Sequence, residues 1–224
     1  MSKFLIFLSF LFATNLVAQE EEIPAKKSGI QIRAIAFNLF ENIDAVELRR
    51  EEQILTQLQL PTGQLRTSVS VSARQFTCGV AEEKGFRVLG NVILPEIGRN
   101  FILVFVPTKT GYRIFPVRSD DPAFKGNDIL LFNFTKSTIG VMLGTAKQKI
   151  KSLKSAQISP GIAPEDTFYQ ALFTYQKDEK GGPFIPFNNT NWPVNSNTKH
   201  MVFVHQDITT GEFTYRSVTE LAAP

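Results

Sequence analysis

The chain has 224 residues, 43% of them hydrophobic, and its 24 Lys+Arg against 21 Asp+Glu leave a formal net charge of +3. So small a positive excess gives no electrostatic basis for nucleic-acid binding, and a single cysteine, Cys78, excludes a disulfide framework. No apolar run reaches the roughly twenty residues that a membrane-spanning helix requires.

Residues 1–3 carry one positive charge (Lys3), 4–13 (FLIFLSFLFA) are apolar and 14–18 (TNLVA) lead to a small residue: the three regions of a secretory signal peptide. Cleavage is expected after Ala18, and no cysteine lies there to carry a lipid anchor. The mature protein is therefore expected in the periplasm or outside the cell, with 23 Lys+Arg against 21 Asp+Glu once Lys3 is removed. Residues 19–28 (QEEEIPAKKS), charged and holding Pro24, read as a flexible leader. Residues 29–224 read as a single domain, since neither a Pro/Gly/Ser-rich linker nor an internal repeat of fixed period interrupts them.

In 30–40 (IQIRAIAFNLF) Ile30, Ile32 and Ala34 share one face, and the apolar phase shifts at Ile35, Phe37 and Leu39. Such a shift predicts a bulge or a strand that changes sheets. Residues 41–53 (ENIDAVELRREEQ) could hold a helix or a short strand at 45–49, and the strand is preferred. Residues 54–60 (ILTQLQL) alternate up to the turn Pro61-Thr62-Gly63, as a half-buried antiparallel strand does. Further strands are expected at 68–72, 74–80 and 86–94. In 74–80 Phe76, Cys78 and Val80 share a face opposite Gln75 and Thr77, which makes Cys78 a buried, inert thiol.

Three runs of strand length follow, 100–107 (NFILVFVP), 111–118 (GYRIFPVR) and 128–135 (DILLFNFT), rich in β-branched and aromatic residues and separated by turn formers. They read as the central meander of the domain. Strands at 139–143, 146–152, 166–177, 201–205 and 212–218 complete the chain. About ten strands with short loops predict an all-β, antiparallel β-sandwich with Greek-key connections and an immunoglobulin-like or cupredoxin-like outline.

The two histidines, His200 and His205, are five apart in a strand and so point to opposite faces. They cannot share a metal from this segment, and Cys78 lies too far upstream for a type 1 copper site. A metal-binding, cupredoxin-like protein is thus the least supported function, and no cofactor is expected. No nucleophile elbow, zinc-binding His-Glu-x-x-His or phosphate-cradling glycine loop is present. The adjacent carboxylates Asp120-Asp121 and Glu165-Asp166 sit beside prolines in turns and cannot flank one glycosidic bond.

Two segments could bind a ligand. Lys147, Lys149 and Lys151 alternate along 146–152 and would place three ammonium groups on one strand face. They either protect an exposed edge from pairing or form a stripe for anionic polymers or lipid head groups. Residues 181–199 (GGPFIPFNNTNWPVNSNTK) hold Phe184, Ile185, Phe187 and the lone Trp192 among glycines, prolines and asparagines. That composition predicts a long irregular loop, packed on the sandwich or exposing an aromatic surface for a sugar or a protein. Asn133-Phe134-Thr135 and Asn188-Asn189-Thr190 match the glycosylation pattern.

Leu94-Pro95, Gly98-Arg99, the apolar run 101–105, Gly111-Tyr112, Phe124-Lys125-Gly126 and Asn133 together resemble a group of uncharacterised exported proteins of verrucomicrobial-type bacteria. The resemblance covers a minor part of the chain. It implies export and a β-sandwich, and lends no catalytic residue. The expected function is a non-catalytic binding or structural module of the cell envelope, its partner an envelope polymer or protein. The alternative is an envelope hydrolase acting on polysaccharide.

Overall fold

The structure, a computed structural model, describes residues 29–177, 181–207 and 209–222. The expected signal peptide and leader at 1–28 lie outside the described residues. Among the described residues the fold is all-β apart from one 3-10 turn, Phe40–Asn42, and no helix is long and apolar enough to cross a membrane.

The first eight strands are β1 (Ile30–Ala36), β2 (Ala45–Arg50), β3 (Gln53–Gln59), β4 (Val69–Val71), β5 (Gln75–Glu82), β6 (Gly85–Ile93), β7 (Asn100–Pro107) and β8 (Tyr112–Arg118). They form two sheets, ordered β4-β1-β7-β8 and β3-β2-β5-β6. The next eight are β9 (Ile129–Asn133), β10 (Thr138–Leu143), β11 (Ala146–Ile150), β12 (Ser155–Ile158), β13 (Phe168–Gln176), β14 (Phe184–Pro193), β15 (Thr198–Gln206) and β16 (Phe213–Leu221). Their sheets, β12-β9-β15-β16 and β11-β10-β13-β14, reproduce the first pair strand for strand. In each half the first strand runs parallel to the seventh, and all other pairings are antiparallel.

Each half is a sandwich with its own core. Ile32, Ala34, Leu103 and Phe105 of one sheet meet Leu48, Phe76 and Cys78 of the other in the first half. Ile129, Leu131 and Val202 meet Val141, Ala171 and Phe173 in the second. Cys78 is fully buried there, and burial pushes its thiol pKa up, so it is kept protonated and unreactive.

A third cluster joins the halves. Ile35, Phe37, Ile102, Val104 and Val117 pack against Met201, Phe203 and Val218, with Phe115, Phe132 and Phe134 alongside. The sheets containing β1 and β9 therefore lie face to face in the middle, and the sheets containing β2 and β10 lie outside. This stacking explains the apolar phase of β1. Its register with β7 runs unbroken from Gln31↔Asn100 to Ala36↔Phe105, so there is neither bulge nor change of sheet. Ala34 and Ala36 face one core and Ile35 the other, as a strand buried on both faces requires.

Three further expectations are corrected. The runs at 100–107, 111–118 and 128–135 are not a meander. β7 and β8 form a hairpin, but β9 pairs with β12 and β15 in the second half. The turn-rich residues 119–127 are the crossing between halves. There Asp120 accepts from the backbone N–H groups of Arg99 and Asn100, and Lys199 donates to the Ser119 carbonyl at 3.0 Å. Among the described residues the strands number sixteen rather than about ten, and β12 and β14 are the ones that alternation does not announce. Residues 184–193 are not a loop but strand β14, at the edge of its sheet. An edge strand tolerates proline, and Pro186 sits where the β13–β14 register shifts between Phe173 and Thr174.

Candidate functional site

The outer face of the β11-β10-β13-β14 sheet carries a shallow concavity of about 400 Å³. Lys147 and Lys149 of β11 form one wall and Phe184 of β14 another, with Met142, Leu172 and Thr174 around a floor at Gly140. The hairpin sets this geometry. Gly144, at φ 58, begins a two-residue turn that pairs Leu143 with Ala146, Met142 with Lys147 and Gly140 with Lys149. Both lysines then fall on the solvent face, beside β10 positions that have small or apolar side chains. A Cβ on Gly140 would stand 2.5 Å from Thr174 Oγ1 and 2.9 Å from Phe184 Cδ1. Glycine is what lets those two side chains close over the strand.

The Lys149 ammonium stands 5.1 Å from the centroid of the Phe184 ring, within the range of a cation–π contact. Among the described residues neither Lys147 nor Lys149 is in an ion pair. Two cations thus face an apolar recess on an open sheet surface. Since β11 is the edge of its sheet, the same lysines also discourage edge-to-edge pairing.

Of the sequence candidates, Lys147, Lys149 and Phe184 are brought together here, although 35 residues separate Lys149 from Phe184. Lys151 is not part of the strand face, because β11 ends at Ile150 and Lys151 lies exposed in the turn that follows. Phe187 and Trp192 are on the other side of the sheet, packed against the core of the second half. Trp192 lies 5.9 Å from Phe173 and 6.1 Å from Tyr215, ring centre to ring centre. Trp192→Ala is accordingly expected to cost about 2 kcal/mol in a urea titration, below the value for a fully buried aromatic because the indole is only partly covered. An unchanged midpoint would return Trp192 to the list of surface groups. Gly140, Met142, Leu172 and Thr174 were not legible as site residues, although a glycine inside an alternating strand signals a close approach.

The histidines diverge. His200 points toward Trp192, with its Nδ1 3.1 Å from Thr219 Oγ1, and His205 stacks on Phe37 at 3.8 Å. Among the described residues no three His, Cys, Asp or Glu side chains are grouped to hold a metal ion. The paired carboxylates are turn organisers: Asp121 accepts from the Ala123 N–H and Asp166 from the Ala163 N–H. Asn133 is fully buried, its amide donating to the carbonyls of Ser137 and Ile150 and accepting from Thr135. Its side chain is spent on the fold and is inaccessible to a glycan. No protein-family model matches the chain, and no curated protein matches it.

Proposed function

We propose that this protein is exported to the cell envelope and acts there as a non-catalytic binding module for an anionic polymer. The observation that supports this reading is the pair of lysines, free of ion pairs among the described residues, on the rim of the Gly140 concavity. Exposed cations attract anions over a Debye length, roughly 8–10 Å at physiological salt, and an apolar recess beside them supplies contact area that salt does not screen. The hydrolase alternative requires two carboxylates across a cleft, and the walls of this concavity contain none.

Retention on an immobilised acidic polysaccharide tests the reading. The parent protein is expected to elute progressively earlier as salt rises, and Lys147→Glu/Lys149→Glu/Lys151→Glu to pass through unretained at physiological salt. Equal retention of the variant and the parent would overturn it.

A further inference from the structure

The duplicated topology allows the concavity to be compared with its counterpart in the first half. Both hairpins have two-residue turns, Arg50 pairing with Gln53 and Leu143 with Ala146. The pairings β5–β6 and β13–β14 both bulge at the matching place, between Cys78 and Gly79 and between Phe173 and Thr174. Position by position, Glu47 then corresponds to Gly140 and Arg49 to Met142, while Phe86 corresponds to Phe184. Glu47 lies opposite Gly79, and Gly140 lies opposite Thr174. On the edge strands Gln57 and Ile54 stand where Lys149 and Lys147 stand.

Each half therefore places a cation over a phenylalanine at the same station. In the first half it is the Arg49 guanidinium, 4.1 Å from the centre of the Phe86 ring. That arginine is satisfied from within the chain: its Nε and Nη2 both donate to Glu47 Oε2, at 2.8 and 2.6 Å. In the second half the cation is Lys149, brought from the edge strand, and the station of the Glu47 side chain is left as Gly140. The first half thus displays a carboxylate on a short aliphatic stem, lying on the outer sheet against a cation stacked on phenylalanine. In the second half the same surroundings are open to solvent.

We infer that the Gly140 concavity is a subsite for a carboxylate borne on an apolar frame, the group that Glu47 supplies internally in the first half, and that its source is a uronate-containing polysaccharide. The inference rests on the anionic-polymer reading above and names its ligand. Met142, Leu172 and Phe184 offer an apolar floor that suits the C–H face of a pyranose ring better than the polar backbone of an acidic peptide. Lys147 supplies a second cation on the same strand face, two residues from Lys149. A polymer with a carboxylate on each ring gains from repeated contacts that a single carboxylate does not have.

The test is calorimetric titration with a hexamer of galacturonate, with hexaglutamate and a linear hexaphosphate as comparators. The variant Gly140→Glu/Met142→Arg/Thr174→Gly copies the ion pair of the first half and the glycine opposite it into the second half. It should weaken galacturonate binding at least tenfold, and it should melt somewhat below the parent because the new Cβ at position 140 still displaces the Phe184 ring. Lys149→Gln removes the ring-stacked cation without altering the strand, and should also weaken binding several-fold; it decides the matter alone if the triple variant does not fold. In the parent, hexaglutamate and hexaphosphate should bind at least tenfold more weakly than the hexauronate. Undiminished uronate binding by a folded triple variant would overturn the inference, as would unchanged binding by Lys149→Gln or comparators that bind as tightly as the uronate. If the column retention above is lost on lysine reversal while these concavity variants bind normally, the subsite fails and the broader anionic-polymer reading stands.

Discussion

Phe203→Ala is expected to destabilise the protein by about 3–5 kcal/mol, the range for emptying a fully buried aromatic site. Phe203 has no solvent exposure and lies between the two central sheets, 5.5 Å from Phe132 and 6.1 Å from Phe134, ring centre to ring centre. The cavity cannot collapse easily, because both of its walls are sheets held by their own ladders and by cores on their far sides. Urea titration should show the midpoint falling with little change in slope, and thermal unfolding a loss on the order of 10 °C. Ile54→Ala, at a side chain 53% exposed on the outer sheet of the first half, should change stability by less than about 0.5 kcal/mol. A loss at Phe203 below about 1 kcal/mol would mean that the central sheets do not share a core.

The second large effect is a loss of stability on mild acidification, centred on His205. Its pKa is lowered from the ordinary 6.5 to about 4, first by burial and then by the Arg216 guanidinium, with the backbone of Phe203 and Asp207 acting in the opposite sense. The ring is stacked on Phe37, its buried Nδ1 has no hydrogen-bond partner among the described residues, and Arg216 is fixed nearby by donating to the Phe37 carbonyl. Above pH 6.5 the imidazole is neutral in both folded and unfolded chains, and its contribution is fully present. As pH falls below 6.5 the unfolded chain takes up a proton that the folded protein refuses. Stability then declines by up to about 1.4 kcal/mol per pH unit. The loss levels off near pH 4, at about 3 kcal/mol in total. His200, also lowered by burial, adds in the same direction. Denaturant titrations at pH 7.5, 6, 5 and 4.5 measure the slope, and His205→Phe, which preserves the stack on Phe37, should flatten most of it. A variant with the parent's slope would assign the effect to other groups.

The duplication gives the candidate site a physical context. Two sandwiches of one topology share their central faces, so among the described residues the outer sheets, β3-β2-β5-β6 and β11-β10-β13-β14, are the ones that present a whole face to solvent. On the first of these the central cation is neutralised by Glu47; on the second Lys147 and Lys149 are not ion-paired among the described residues. The asymmetry between otherwise equivalent faces is what directs attention to Gly140.

The sequence by itself determined the strand identities apart from β12 and β14, the inward side of Cys78, the divergence of His200 and His205, and the common face of Lys147 and Lys149. All of these follow from one local rule, that successive side chains of a strand point to opposite sides. Tertiary structure alone decided which strands pair, and with it the rest. Pairing joins residues far apart in the chain and leaves no local period. β9 therefore read as a neighbour of β8 although it opens a second sandwich. The duplication was invisible for the same reason, since equivalent positions conserve facing rather than identity: Cys78 corresponds to Phe173 and Ala36 to Asn133. β1 looked out of phase because alternation presumes one wet face, and its second face is covered by the other half of the molecule. β14 looked like a loop because its prolines and asparagines are poor strand formers, yet an edge position needs only one ladder. The concavity itself was beyond the reach of alternation, because Gly140, Lys149 and Phe184 converge only when β10, β11, β13 and β14 are laid side by side.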